Sequence, residues 1–374
     1  MKIRIAVAAL SALALAACGG TSPAAGPGSS PATTGSSAPT ESKTLTVVTH
    51  DSFALPDDLK KKFADETGYE VVYTAPGEGT SLVNQLILTK DSPLGDVVFG
   101  IDGALASRAV REGIVVPHAA DVKLAAGIAP EEPTAPECVN CGEKENAAGG
   151  DVVAAALTPV DFGDVCVNAD TAWFAEHDLA VPATLDDLAA PAYKDLFVVP
   201  SPTSSSPGQA FLLATIGEKG EGWVDYWKAL QDNGMKLAAG WSDAYYTDFS
   251  GADGKGPRPL VLSYATSPAY TVVDDASTTE ALLGTCIRQV EYAGILAGAQ
   301  NEVGAAKFID FLLTPEVQAT IPENMYMYPA LDGVALPEEW AKFAPLSEQP
   351  ITVDGARIDA NLEDWLRTWA EEIG

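Results

Sequence analysis

Two stretches place aromatic rings where core packing alone explains them poorly: Gly240-Trp-Ser-Asp-Ala-Tyr245 and Leu262-Ser-Tyr-Ala-Thr-Ser-Pro-Ala-Tyr270. Both read as turns or strand ends, positions from which a ring faces a ligand as readily as a core. Trp241, Tyr264 and Tyr270 are therefore the expected walls of a small-molecule cleft. By contrast, Trp223 lies one helical turn from Trp227, and Leu362, Trp365, Leu366 and Trp369 form a stripe. That spacing assigns both groups to core packing.

The elements that must hold these rings follow from periodicity. Strands are expected over 45–49, 70–73 and 96–100, alternating with helices over 56–67, 81–90 and 104–112, with Gly68 and Gly113 as stops. Strand–helix–strand alternation means a parallel sheet with right-handed crossovers, whose ligands gather at the carboxyl ends of the strands. Those ends are His50-Asp51-Ser52, Pro76-Gly77-Glu78-Gly79 and Ile101-Asp102. Strand-like runs at 152–157 and 165–167 flank Pro159-Val-Asp-Phe-Gly163. A second α/β unit follows, with strands at 196–199, 235–238 and 260–264 and helices over 207–218 and 222–231. The helix expected over 302–313 turns Val303, Ala306, Ile309 and Leu313 to one face, and Thr314 caps the short helix after it. The fold class is α/β, with two α/β lobes and a hinge cleft: lobe 1 over 44–155 plus 290–374, lobe 2 over 156–289.

The N-terminus sets the compartment. A basic start, an apolar run to Ala17 and the ending Leu15-Ala-Ala-Cys18 describe a signal peptide over 1–17 with a lipobox, so Cys18 is the expected lipidation site. Residues 18–43 carry Ser, Thr, Pro, Gly and Ala with little to bury, a flexible tether. A protein held by lipid at the outer face of the cell membrane is expected. The formal charge of −30 argues against nucleic acid as a partner. Beyond Cys18 stand Cys138, Cys141, Cys166 and Cys286, an even number that favours disulfides in an exported chain: Cys138 with Cys141, then Cys166 with Cys286. Zinc competes for Cys138 and Cys141, but a second ligand pair is missing from the sequence.

Asp51-Ser-Phe53, Glu78-Gly-Thr-Ser-Leu82, Asp96-Val-Val-Phe-Gly-Ile-Asp102, Ser204-Ser-Ser-Pro-Gly208 and the two aromatic stretches occur in order. Together they resemble the thiamine-binding subunits of bacterial ABC importers, within the type II periplasmic-binding-protein fold, from about residue 45 to 369. The resemblance implies capture of thiamine or its phosphate esters without turnover, no cofactor, a permease partner and a monomer. It places Trp241, Tyr264 and Tyr270 at the family's aromatic positions, with Tyr245 and Tyr326 as further rings. Glu78 falls at the acidic contact where Asp is more familiar, beside Asp51 and Asp102. Ser205 matches the polar loop position, with Ser206 next to it. His50 stands where the family shows Tyr. Aromatic faces and a carboxylate suit the thiazolium cation. Two rivals share the fold. A ferric-ion-binding protein would use Tyr245-Tyr246 with His50, and a thiamine-degrading transferase would need Cys166 as a free thiolate.

Overall fold

The structure, a computed structural model, describes residues 42–129 and 155–374 apart from 253 and 255. Cys18, Cys138 and Cys141, the leader and the tether lie outside the described residues. The first alternation forms as expected: β1 Thr44–Thr49, α1 Asp57–Thr67, β2 Glu70–Thr74, α2 Gly79–Leu88, β3 Val97–Asp102 and α3 Gly103–Arg111. Gly68 closes α1 at φ 73, and its N–H returns to the Ala64 carbonyl. Strand β1 pairs in parallel with β2 and β3.

Residues 158–170 depart from expectation, while 152–154 of the expected strand lie outside the described residues. Pro159 and Gly163 do not interrupt the chain; β4 runs unbroken over Thr158–Asp170, buried along its whole length. Pro159 is tolerated at a register shift, where Val160 is the extra residue of β4 between the pairs Asp161–Glu291 and Pro159–Tyr292. The partner strand is β8, Ile287–Leu296, which lies antiparallel to β3 on one side and to β4 on the other. The second alternation supplies β5 Phe197–Pro200, α4 Ser206–Lys219, α5 Trp223–Asp232, β6 Lys236–Ala238 and β7 Leu260–Tyr264. Both alternations belong to one eleven-stranded sheet, with the main path β2-β1-β3-β8-β4-β7-β5-β6.

Side chains of α2 to α5 and of the last helix, α7 Gly355–Glu372, share one core, centred on Leu82, Leu105, Phe211, Trp227 and Trp369. A second core packs Phe63 of α1 against Phe308 of α6 Glu302–Leu312. In α6 the buried face is Ala305, Phe308, Ile309 and Leu312, while Val303 is 54 % exposed. The expected stripe was therefore rotated, because the larger Phe308 and Phe311 take the inward positions. Trp223 and Trp227 are core residues, as their spacing implied.

The long strands are also joined side to side. Cys166 of β4 is disulfide-bonded to Cys286, the residue before β8. Two residues on, Arg288 pairs with the wholly buried Asp164, which also accepts the Ser347 N–H. Asp161 and Glu291 then stand opposite one another.

Candidate functional site

The cavity lies where the carboxyl ends of β1 and β3 meet the starts of α2 and α4. His50, Glu78, Ser206, Trp241, Tyr264, Glu291 and Tyr326 line it, with Ser52 and Met327. The approach of the two helices is close: the Ser206 hydroxyl leaves no room for a Cβ at Gly79. Trp241 enters a helical turn that continues as a π-helix over Asp243–Asp248. Its indole N–H donates to Ser263 Oγ at 2.9 Å, and Ser263 in turn meets Ser267 at 2.8 Å. Tyr245 stacks on Trp241 at 5.1 Å and 16°, so one indole face is already covered. Tyr264 lies tilted to Trp241 at 6.2 Å.

The floor is acidic. Register shifts beside Glu291, with Val160 the extra residue on β4 and Gly100 on β3, accompany its placement in the cavity, where its Oε2 lies 3.4 Å from His50 Nε2. The Ser52 N–H donates to His50 Nδ1 at 3.1 Å, which leaves Nε2 as the proton-bearing atom facing Glu291. Burial opposes a charge on His50, but Glu291, Glu78 and Asp51 outweigh it and raise its pKa above 6.5. Burial together with the Glu291 charge pushes Asp161 well above the carboxylate range. Burial likewise opposes ionisation of Glu291; His50, Asp161 and Gln289 overcome this and hold it below the usual carboxylate value. Glu291 is thus the fixed negative charge of the floor. Burial, then the charges of Glu291 and Glu78, pushes the Tyr264 phenol well up, so it stays neutral.

The structure sorts the expected site residues. Trp241, Tyr264, Glu78, Ser206, Tyr326 and His50 are brought together around one cavity. Tyr270 and Tyr245 line an adjoining cavity that shares Trp241 and Tyr326 with the first. The Tyr270 hydroxyl donates to the Pro322 carbonyl and accepts from the Trp340 indole, and its ring meets Tyr326 edge-on at 4.5 Å. Asp51 is exposed in the turn after β1, outside the lining. Asp102 is buried as the N-cap of α3, accepting from Ala104 and Leu105 N–H, and faces Ser206. Ser205 lies fully buried behind Ser206 as the N-cap residue of α4. Glu291 and Asp161 were missed. Their signal was an acid inside each of two apolar strands, Pro159-Val-Asp161 and Gln289-Val-Glu291.

Residues 93–351 match the family described as bacterial extracellular solute-binding protein. The chain belongs to that family. A relative, the thiamine-binding periplasmic protein of Brucella suis, is 27% identical over 336 residues, 87% of this chain and 91% of its own length. Among solved structures, a periplasmic thiamin binding protein superposes with a TM-score of 0.72 at 25% identity, covering 88% of this chain and 96% of that one. A ferric binding protein from Campylobacter jejuni matches at TM-score 0.66 and 15% identity over 88% and 99%, a likeness of fold.

Of the two rival chemistries, the free-thiolate one loses its residue, and the thiamine reading is better supported than the ferric one. The Tyr245 and Tyr246 rings stand at 89° to each other, with Tyr245 6% exposed and stacked on Trp241. Cys166 is half of a disulfide, so it is no free nucleophile.

Proposed function

We propose that this protein captures thiamine outside the cytoplasm and presents it, unaltered, to an ABC permease. The observation that carries this reading is the pairing of Trp241 and Tyr264 with a floor formed by Glu78 and Glu291. Ring faces attract the thiazolium by its charge, and a desolvated carboxylate beside them adds to that attraction. The thiamine-binding names of the relatives support the same ligand. Trp241, Tyr264 and Tyr326 enclose the rings, Glu78, Glu291 and His50 set the charge, and Ser206 serves the hydroxyethyl arm. Tyr270 and Tyr245 support that wall from behind.

Closure of two lobes, 44–155 with 290–374 against 156–289, accounts for how the ligand is held, with β4 and β8 as the segments that flex. The leader over 1–17, lipidation of Cys18 and the tether over 18–43 keep the protein at the outer membrane face. It acts as a monomer and without a cofactor, and no turnover is proposed, since the one described cysteine pair is bonded. Calorimetric titration with thiamine tests the reading: one ligand per chain with Kd about micromolar or tighter is expected. Absence of saturable heat with pure, folded protein refutes it.

A further inference from the structure

His50 lines the cavity, yet neither of its ring nitrogens is open to a ligand. Nδ1 accepts the Ser52 N–H at 3.1 Å, a bond within its own turn. Nε2 is buried and has no hydrogen-bond partner among the described residues; the group that stands at ion-pair distance from it is Glu291 Oε2, 3.4 Å away. With Nδ1 accepting, the neutral ring carries its proton on Nε2, which puts the donor on the Glu291 side. The ring is closely seated. Gly100 has a φ of +97, and a Cβ there would stand 2.0 Å from His50 Cδ2 and 3.1 Å from Nε2. The imidazole thus fills the space that a side chain at 100 would need, tilted against Phe99 at 5.4 Å. Glu291 is gripped at its other oxygen too, where Gln289 Nε2 donates to Oε1 at 3.4 Å. A glutamate side chain turns about several bonds, so a ligand cation gains most from its charge when the carboxylate is already in place.

We propose that His50 is a positioning residue: Ser52 and Gly100 seat its ring, and the ring fixes the Glu291 carboxylate for the ligand cation. This rests on the thiamine reading of the site. His50 then acts on affinity through Glu291 and not by stacking on the ligand. Its contribution must scale with ligand charge. The thiazolium cation gains from a fixed carboxylate, and an uncharged ring in its place does not. What position 50 has to supply is an N–H where Nε2 lies. Phenylalanine, which a stacking role would favour, lacks that donor.

The test is calorimetric titration of wild type, His50→Phe, His50→Gln, Glu291→Gln and the double variant His50→Phe/Glu291→Gln. The probes are thiamine and an analogue whose thiazolium is replaced by an uncharged ring of the same shape. His50→Phe should weaken thiamine about tenfold and the uncharged analogue less than about twofold. His50→Gln, whose amide N–H reaches the place of Nε2, should bind thiamine within about threefold of wild type. In the Glu291→Gln background, adding His50→Phe should change thiamine affinity by less than about twofold. Thermal melts check folding. If His50→Phe does not fold, His50→Asn takes its part, since its amide stops short of Glu291 and should give the same losses. Thiamine bound by His50→Phe as tightly as by wild type overturns the proposal, and so does an undiminished loss in the Glu291→Gln background. If wild type binds no thiamine, the thiamine reading itself fails and the proposal falls with it.

Discussion

The two sides of the cavity are made in opposite ways. The aromatic side hangs from turns and element ends: Trp241 enters a π-helical turn, Tyr264 closes β7, and Tyr326 holds a left-handed φ of 59. The acidic side is set inside the sheet, where Glu291 and Asp161 oppose each other in strands that continue through the disulfide and the Arg288–Asp164 pair. In the proposed site the rings face the ligand and otherwise pack locally, Trp241 on Tyr245 and Ser263; the acids are also part of what holds β4 to β8. Damage on the first side should appear as lost affinity, and on the second as lost stability.

Reduction of Cys166–Cys286 is the largest expected effect. The bridge spans 120 residues, and opening a loop of that size should lower unfolding free energy by about 4 kcal/mol, read from urea curves with and without reductant. Thiamine affinity of the protein that stays folded should hold. Next is Glu291→Ala, which strands His50 and Asp161 in the interior and should cost about 3 kcal/mol in the same assay. A fall in affinity with no loss of stability would break the comparison.

Asp102 supplies a pH test of the same side. Burial, only partly offset by Ser206 and the α3 N–H groups, lifts it from 3.8 to about 6. The folded state therefore holds this proton more tightly than the unfolded chain. Stability from this group is fully present below pH 3.8 and is lost as pH rises through about 6. The loss should be on the order of 2–3 kcal/mol across that window, and Asp102→Asn, which can still cap α3, should remove it. On the aromatic side, Trp241→Ala should weaken thiamine binding by roughly 30-fold, about 2 kcal/mol, while moving the unfolding midpoint less than Glu291→Ala does. An unchanged Kd would reassign Trp241 to packing with Tyr245.

The same contrast explains what was legible in the sequence. Helices and parallel strands of the first alternation follow from periodicity, because local burial patterns survive tertiary packing there. Trp241 and Tyr264 were visible because rings at turns and strand ends stand out. Asp161 and Glu291 were not, since a lone acid in an apolar strand gains meaning only once register puts it opposite another acid and beside His50. Pro159 and Gly163 argued for a break in β4, and only the register shift at Val160, opposite Glu291 and Tyr292, shows why the strand continues. Asp102 and Asp51 illustrate the converse: strand ends gather ligands, but one carboxylate there turned back to cap α3 and the other faced solvent. Exchange of Tyr for His50 reads differently in three dimensions, for its imidazole answers Glu291.

The central claim is that rings and a fixed carboxylate together hold a flat organic cation. Titration of intrinsic tryptophan fluorescence with thiamine, with its uncharged aminopyrimidine fragment and with ferric ion tests it most directly. Saturable quenching at one thiamine per chain, much weaker response to the fragment and loss of the signal in Trp241→Phe are predicted. Tight, saturable quenching by ferric ion with none by thiamine would contradict it.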